Sequence, residues 1–574
     1  MVDRFRTIIS SLIFIFGHFV PLTGTLGQTA LVDDFEIHAV NRLDGDKGIL
    51  GSGEIKHKDG LIEVRVTQKD GGYIGMWNSL NHAAAEGIPL DLDALLPRHI
   101  LPQFQYAVSS IEIKILDGRG RFKLELKEPN GKVSWNTSVE LRGGSRTLQF
   151  ELPPGLHRIQ LLNWYVEGEE EDFAVLSDIS LNLRPPTLHL EPERFFLWSY
   201  AQLLANAERI GDEGEITIGL ARDKSHDRAG QMDNVPASGL LAAATAVAHH
   251  LGFIGRESAE EIVMRLRDEV LSLPRYHGLL PHFVGEKGRP KGEWSSLDTV
   301  ICLIGLIEAC QILEMEIEDL EEMIEEVDWE DLILSNGTIS HGYSLDGERL
   351  RVGWDTFGCE TWLVNFAYAA SRGKVAKIIR PRPPTWNGSG FIDELAWLLI
   401  PPPSRDRWGI DWRRYRSEAA MRQIRYYVEV NPYPAYRDTE LFGLSAAEVP
   451  VGRGYQPFGV GGHKPPNDGS TSLGSPVIVP HYAAMISSIY LDESLRVFRW
   501  LENHGLISPL NNVESMLIDP DGKIRWNGLK GSWNLALMTL GWAGYLTRDS
   551  NPLHRAVDEN RFLKRGYRLC LSSR

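Results

Sequence analysis

Cysteine is scarce in this chain: four residues in 574. Cys302 and Cys310 fall on one predicted helix, about 12 Å apart at ~1.5 Å rise per residue, beyond the reach of a disulfide. Cys359 and Cys570 have no evident partner, so a disulfide framework is excluded. No CxxC or HxxxH pattern offers a metal site. Clustered positive charge is also missing. Lys and Arg total 60 against 77 Asp and Glu, a formal net charge of −17, which argues against a nucleic-acid partner, whose phosphates need basic clusters. There is no GxxxxGK[ST] phosphate loop, and neither heptads nor a strict repeat. The apolar run 8–21 is short of the ~20 residues of a bilayer span and is interrupted by His18 and Pro21.

That run has another reading. Arg4 and Arg6 precede it and a small, polar stretch follows, with cleavage expected close to Ala30. Residues 1–30 therefore read as a secretory signal. The expected location is secreted or periplasmic, with no stable membrane span after cleavage. No Cys follows for lipid attachment.

Hydrophobic content of 43% and charged content of 24% are ordinary for a globular protein, and the length implies more than one core. Residues 31–183 are written in period two. Ile62, Val64 and Val66 share a face, as do Ile111, Ile113 and Ile115, then Phe122, Leu124 and Leu126, then Leu148, Phe150 and Leu152. With Gly, Asn and Asp between the runs, this predicts an antiparallel β-sandwich of about eight strands. Residues 184–194 read as a linker, with Pro185 and Pro186. Apolar spacing of i, i+3, i+4 then dominates, giving about eleven helices over 195–548, one of them opened by a Ser258/Glu261 capping box. A closed helical toroid fits, as does another large α-helical domain. The basic tail 549–574 is assigned no role.

Three segments could carry chemistry. In 352–362, Asp355 and Glu360 lie among Trp354, Phe357 and Trp362 at a helix start. A carboxyl in a partly apolar pocket keeps its proton near neutral pH, as a general acid for glycosidic cleavage must. The same spacing fits an N-cap Asp and a first-turn Glu. In 292–299, Asp298 could orient sugar hydroxyls or a water beside Trp294, or form a capping pattern with Ser295. His282 lies just upstream. The third segment, 441–471, is long, rich in glycine and aromatics and without helical period, as functional loops often are. Its polar points are Glu448, Tyr455, His463 and Asp468. Glu514 and Trp533 sit near later helix starts.

These motifs, in this order, resemble the glycoamylase-like family that contains the bacterial endo-β-1,2-glucanases. Its NxxASGL-like, HFV-like, ExSTIDT-like, YDEG-like, WGLTAS[DE]GP-like and NDGT-like motifs stand here at 234–240, 282–284, 293–299, 357–362, 442–450 and 467–470. The resemblance covers about 195–548. It implies an (α/α)6 toroid with a carbohydrate cleft at its mouth and Glu360 as general acid. The second carboxylate is then Glu448 or Asp298, with Asp468 a further option. Asp355, Trp354, Trp294, His282, Tyr455, His463, Asp468 and Trp533 would contact substrate. The chain departs from the family at Cys359, Thr361 and Val449. The N-terminal part is similar to carbohydrate-binding jelly rolls at 32–36, 41–45, 71–77 and 176–181. There Trp77, Trp135 and Trp164 could stack on sugars or fill the core, and Asp34 and Asp178 could hold a structural Ca²⁺. No other cofactor is implied.

The expected function is a secreted glycoside hydrolase acting on a polysaccharide or oligosaccharide, β-1,2-glucan favoured. The alternatives are a non-catalytic glycan-binding protein on the same toroid and a lyase or epimerase using Tyr or His as base. The net charge makes a polyanionic substrate unattractive.

Overall fold

The computed structural model describes residues 28–36, 40–83, 87–211, 213–225, 232–355, 359–378, 388–407, 409–430, 433–437, 439–452, 454–460, 467–470 and 474–572. Most of the signal segment and all of His463 and Phe357 lie outside them.

The N-terminal part is a ten-stranded antiparallel sheet whose spine is one long strand, Ala107–Lys127. Its first half pairs with Arg146–Glu151 and Phe173–Arg184. Its second half pairs with Val133–Arg142 and Leu161–Gly168. The predicted alternation holds on both halves, since Ile111, Ile113, Ile115, Phe122, Leu124 and Leu126 are all fully buried. Yet the buried positions change from odd to even along the strand. A strand's side chains alternate with a period of two, so this needs a one-residue change of phase. The partner strand shifts register between Val175 and Asp178, opposite the change. Trp164 is fully buried, stacked at 6.1 Å on Phe122 and edge-on at 6.0 Å to Phe35. It is a core residue, while Trp77 and Trp135 are half-buried. Asp34 is paired with Arg42, and Asp178 with Lys114 at 3.3 Å.

The strands of this sheet end at Arg184, and the first α-helix begins at Glu191. Val235–His250 packs on Ser296–Leu313 and on Ser532–Thr547. Ser296–Leu313 meets Cys359–Arg372, which meets Gly390–Leu399. Pro480–Met485 meets both Gly390–Leu399 and Ser532–Thr547. Other helices back these, such as Arg256–Ser272 on Val235–His250 and Trp412–Arg425 on Gly390–Leu399. Ser296–Leu313 is long and apolar enough to cross a membrane, but here it is a buried core helix.

One contact fixes the geometry of this core. A Cβ on Gly239 would lie 2.4 Å from Cys302 Cα, and one on Gly305 would lie 2.4 Å from the Gly239 carbonyl oxygen. Glycine at both positions lets two helices touch backbone to backbone. Cys302 and Cys310 are both unbridged in this packing.

Two expectations change. Ser258 lies inside its helix, which starts at Arg256 with Gly255 as N-cap, so it caps nothing. The 549–574 tail forms two helices, Pro552–Glu559 and Arg561–Cys570, capped by Asn551 and Asn560. The second packs on Cys359–Arg372. Its basic residues lie on the outer face of an amphipathic helix, which hid the apolar stripe from a reading by composition.

The β-domain docks on the helical domain through its 41–45 loop. Ser225 Oγ donates to Asp44 Oδ2 at 2.5 Å, and Lys530 Nζ donates to the Leu43 carbonyl at 3.3 Å. The Arg42 guanidinium lies 3.9 Å from the centre of the Trp526 ring.

Candidate functional site

Five helices begin at one cavity of about 360 Å³. It is lined by Asn234 and Pro236, Leu297 and Asp298, Glu360, Phe391, and Trp533 and Asn534, each at the N-terminal end of its helix. Helix starts present unpaired N–H groups and a positive dipole end, which favour nearby carboxylates. A four-stranded sheet, Asp233–Asn234, Pro281–Gly285, Arg289–Ser295 and Gly342–Ser344, adds His282, Phe283, Glu293 and Ser295.

Local chemistry explains the placements. Asn234 caps its helix by accepting from the Ala237 N–H at 2.9 Å, while its amide donates to Asp223 Oδ1 at 2.9 Å. Ser295 caps the next helix by accepting from the Asp298 N–H at 3.2 Å. The reciprocal half of a capping box is absent, because the Ser295 N–H is given to the Leu280 carbonyl. The Asp298 carboxylate turns instead to His282, at 3.4 Å from Nδ1, with Glu293 at 3.3 Å from the same nitrogen. Burial alone would lower the His282 pKa, but these two carboxylates outweigh it and raise it to about 9.

Glu360 is half-buried in the first turn of Cys359–Arg372. Burial, and secondly the charge of Asp298, push its carboxyl up to about 7. Glu514 is likewise pushed up to about 7, first by burial. Asn534 donates to it, and a Cβ on Gly531 would lie 2.9 Å from its Oε2, so glycine there leaves it room. Glu514 carried only a weak sequence signal, since no motif surrounds it.

Of the residues expected at the site, Glu360, Asp298, Trp354, His282, Tyr455 and Trp533 line this cavity. Trp354 stacks on His341 at 3.8 Å and donates from Nε1 to Ser296 Oγ at 2.9 Å. Glu448 lies one step away. It pairs with Lys224, which lines the cavity, and accepts from the Gly454 N–H at 3.0 Å. Trp294 does not line the cavity. Alternation on its strand sends Glu293 and Ser295 to the cavity and Trp294 to Tyr276, 5.9 Å away. Trp362, two positions past Glu360, is in the core, edge-on to Trp412. Asp355 is half-buried outside the lining, though its charge reaches His341. Asp468 is buried elsewhere. Burial would raise it, but hydrogen bonds from Ser470, Tyr426 and Tyr433 hold it below the usual carboxylate range.

No family model matches the chain, and no curated protein sequence matches it. Solved structures do. The β-1,2-glucanase from Parabacteroides distasonis is 12% identical, with 95% of this chain and 99% of that chain covered at a TM-score of 0.55. The endo-β-1,2-glucanase from Chitinophaga pinensis, in complex with sophorotriose and glucose, is 15% identical, covering 67% and 99% at 0.53. The chain thus shares the fold of β-1,2-glucanase structures, the resemblance its ordered motifs carry.

Proposed function

We propose that the chain is a secreted or periplasmic glycoside hydrolase that cleaves a glucan, β-1,2-glucan first among candidates. Its helices would close into an (α/α)6 toroid, with a jelly-roll β-domain in front and residues 1–30 as the export signal. The observation that carries the reading is the Glu360 carboxyl, raised to about 7 in a cavity walled by Trp354, Phe391 and Trp533. Such a group is protonated near neutral pH and can donate to the leaving oxygen as the glycosidic bond breaks. A second carboxylate then takes the proton of the attacking water. Asp298 supports this role by lying close enough for its charge to act on Glu360. Glu448, ion-paired with Lys224 and accepting from the Gly454 N–H, is the other candidate. Indole and phenyl faces suit the apolar faces of sugar rings.

The test is reducing-end release from a panel of soluble glucans by wild type and Glu360→Gln. Release by wild type alone is expected. Release by both moves the acid elsewhere. Silence from both, with retained glycan binding, favours the binding-protein alternative.

A further inference from the structure

A second cavity, of about 690 Å³, lies at the seam between the β-domain and the helical domain. Glu36, Asn41 and Asp44 line it from one side, and Val451 and Trp526 from the other. It adjoins the candidate active site, because Lys224 lines both. Lys224 is paired with Glu448 on the seam side and lies 3.7 Å from Asp223 on the active-site side. The hairpin Ala446–Glu448/Tyr455–Pro457 spans the same boundary. Glu448 and Tyr455 are directly opposed in it, Glu448 lining the seam and Tyr455 the active site.

We infer that the seam cavity is the distal half of the substrate groove. A neutral oligosaccharide bound at Glu360 continues past Lys224 and lays its further residues between the β-domain loop and Trp526. This rests on the glucan reading of the active site and extends it. Both cavities fall within the ~300–1,000 Å³ of ordinary ligand sites. The seam wall offers the exposed aliphatic side chain of Val451 and the exposed charged groups of Glu36 and Arg525, which suit the faces and hydroxyls of a sugar. Its charged lining includes Glu36, Asp44 and Glu448 against Lys224 and Arg525, which gives a polyanion no cationic cradle.

The wall is also built before any ligand arrives. The Asn41 side chain accepts from the Leu43 and Gly45 N–H groups at 3.0 and 2.9 Å and donates to the Ser79 carbonyl at 2.8 Å. Asp44 is tied to Ser225, and Arg42 clamps the Trp526 ring. Little side-chain freedom remains to be lost on binding. On this geometry the β-domain is a wall of the groove, not a separate module on a tether.

The test uses the full chain carrying Glu360→Gln, titrated by calorimetry with a β-1,2-linked disaccharide and with a long linear β-1,2-linked oligosaccharide. Val451→Trp and Glu36→Trp block the seam from opposite walls. Both positions are exposed, so the fold tolerates the bulk. The parent should bind the long ligand about tenfold more tightly than the short one, and each variant should remove most of that ratio. The inference is overturned if the parent shows no length advantage, or if both variants keep it. If the parent binds neither sugar, the glucan reading fails and the groove falls with it. Disaccharide binding without a length advantage removes the groove alone.

Discussion

Replacing Glu360 by Gln should stabilise the protein above neutral pH while sharply reducing turnover. The carboxyl rises from 4.5 to about 7 on folding, chiefly because it is buried and secondly because Asp298 is negative. Between those values the unfolded chain has released the proton and the folded chain still holds it. Stability therefore falls as pH rises, by about 1.4 kcal/mol per pH unit. The whole contribution is present below 4.5 and is lost once pH passes about 7, where the deficit levels off near 3 kcal/mol. Gln does not titrate and escapes this loss. Glu514, shifted similarly, is common to both proteins and cancels. Urea unfolding followed by tryptophan fluorescence at about pH 4 and about pH 8 measures the difference. The variant should gain about 3 kcal/mol on wild type between the two conditions, and glucan turnover should drop by about 10²–10⁴. An equal stability difference at both pH values would refute a buried, protonated Glu360.

Two further substitutions test neighbouring parts of the structure. Asp298→Asn removes the charge that adds to the burial effect, so the Glu360 carboxyl should move down, by under about 1 pH unit because burial is the larger cause. Carboxyl-carbon NMR titration reads this even if turnover is lost, and an unchanged or higher value sinks the argument. Arg42→Ala strips the cation from the Trp526 ring and leaves Asp34 without that partner. It should lower stability by about 1–2 kcal/mol in thermal or urea unfolding, and a neutral result would mean that this stacking does not hold the seam.

What the sequence disclosed follows from how each element is stabilised. The long strand 107–127 and helices such as Ser296–Leu313 announce themselves because one face or one whole element is buried. Their apolar spacing is then a direct record of the packing. Asn234 and Ser295 were legible as members of ordered motifs, and each turns out to cap a helix that opens on the cavity. The hairpins were not legible. Pro281–Gly285, Ala446–Glu448 and their partners are too short for alternation to register, yet they decide which side chains face the site. Trp294 shows the cost, since its neighbours point into the cavity and it points away. Glu514 was nearly silent because its environment is assembled from Gly531, Asn534 and Lys224, which lie far from it along the chain.

The glycine pair at 239 and 305 has a consequence for how the site varies between related chains. Contacts between side chains can be retuned by changing a rotamer or trading a methyl group, but a contact between two backbones offers neither. The starts of those helices, which carry Asn234 and Asp298, therefore behave as jaws of fixed gap. Any methyl added at the contact must move one jaw bodily and carry the Asp298 carboxylate with it. Change in what the cleft accepts is then left to the hairpins and to the β-domain loop, which can be rebuilt without moving the jaws. The fold separates a rigid part, which fixes the spacing of Asn234 and Asp298, from an adjustable rim of hairpins and loop.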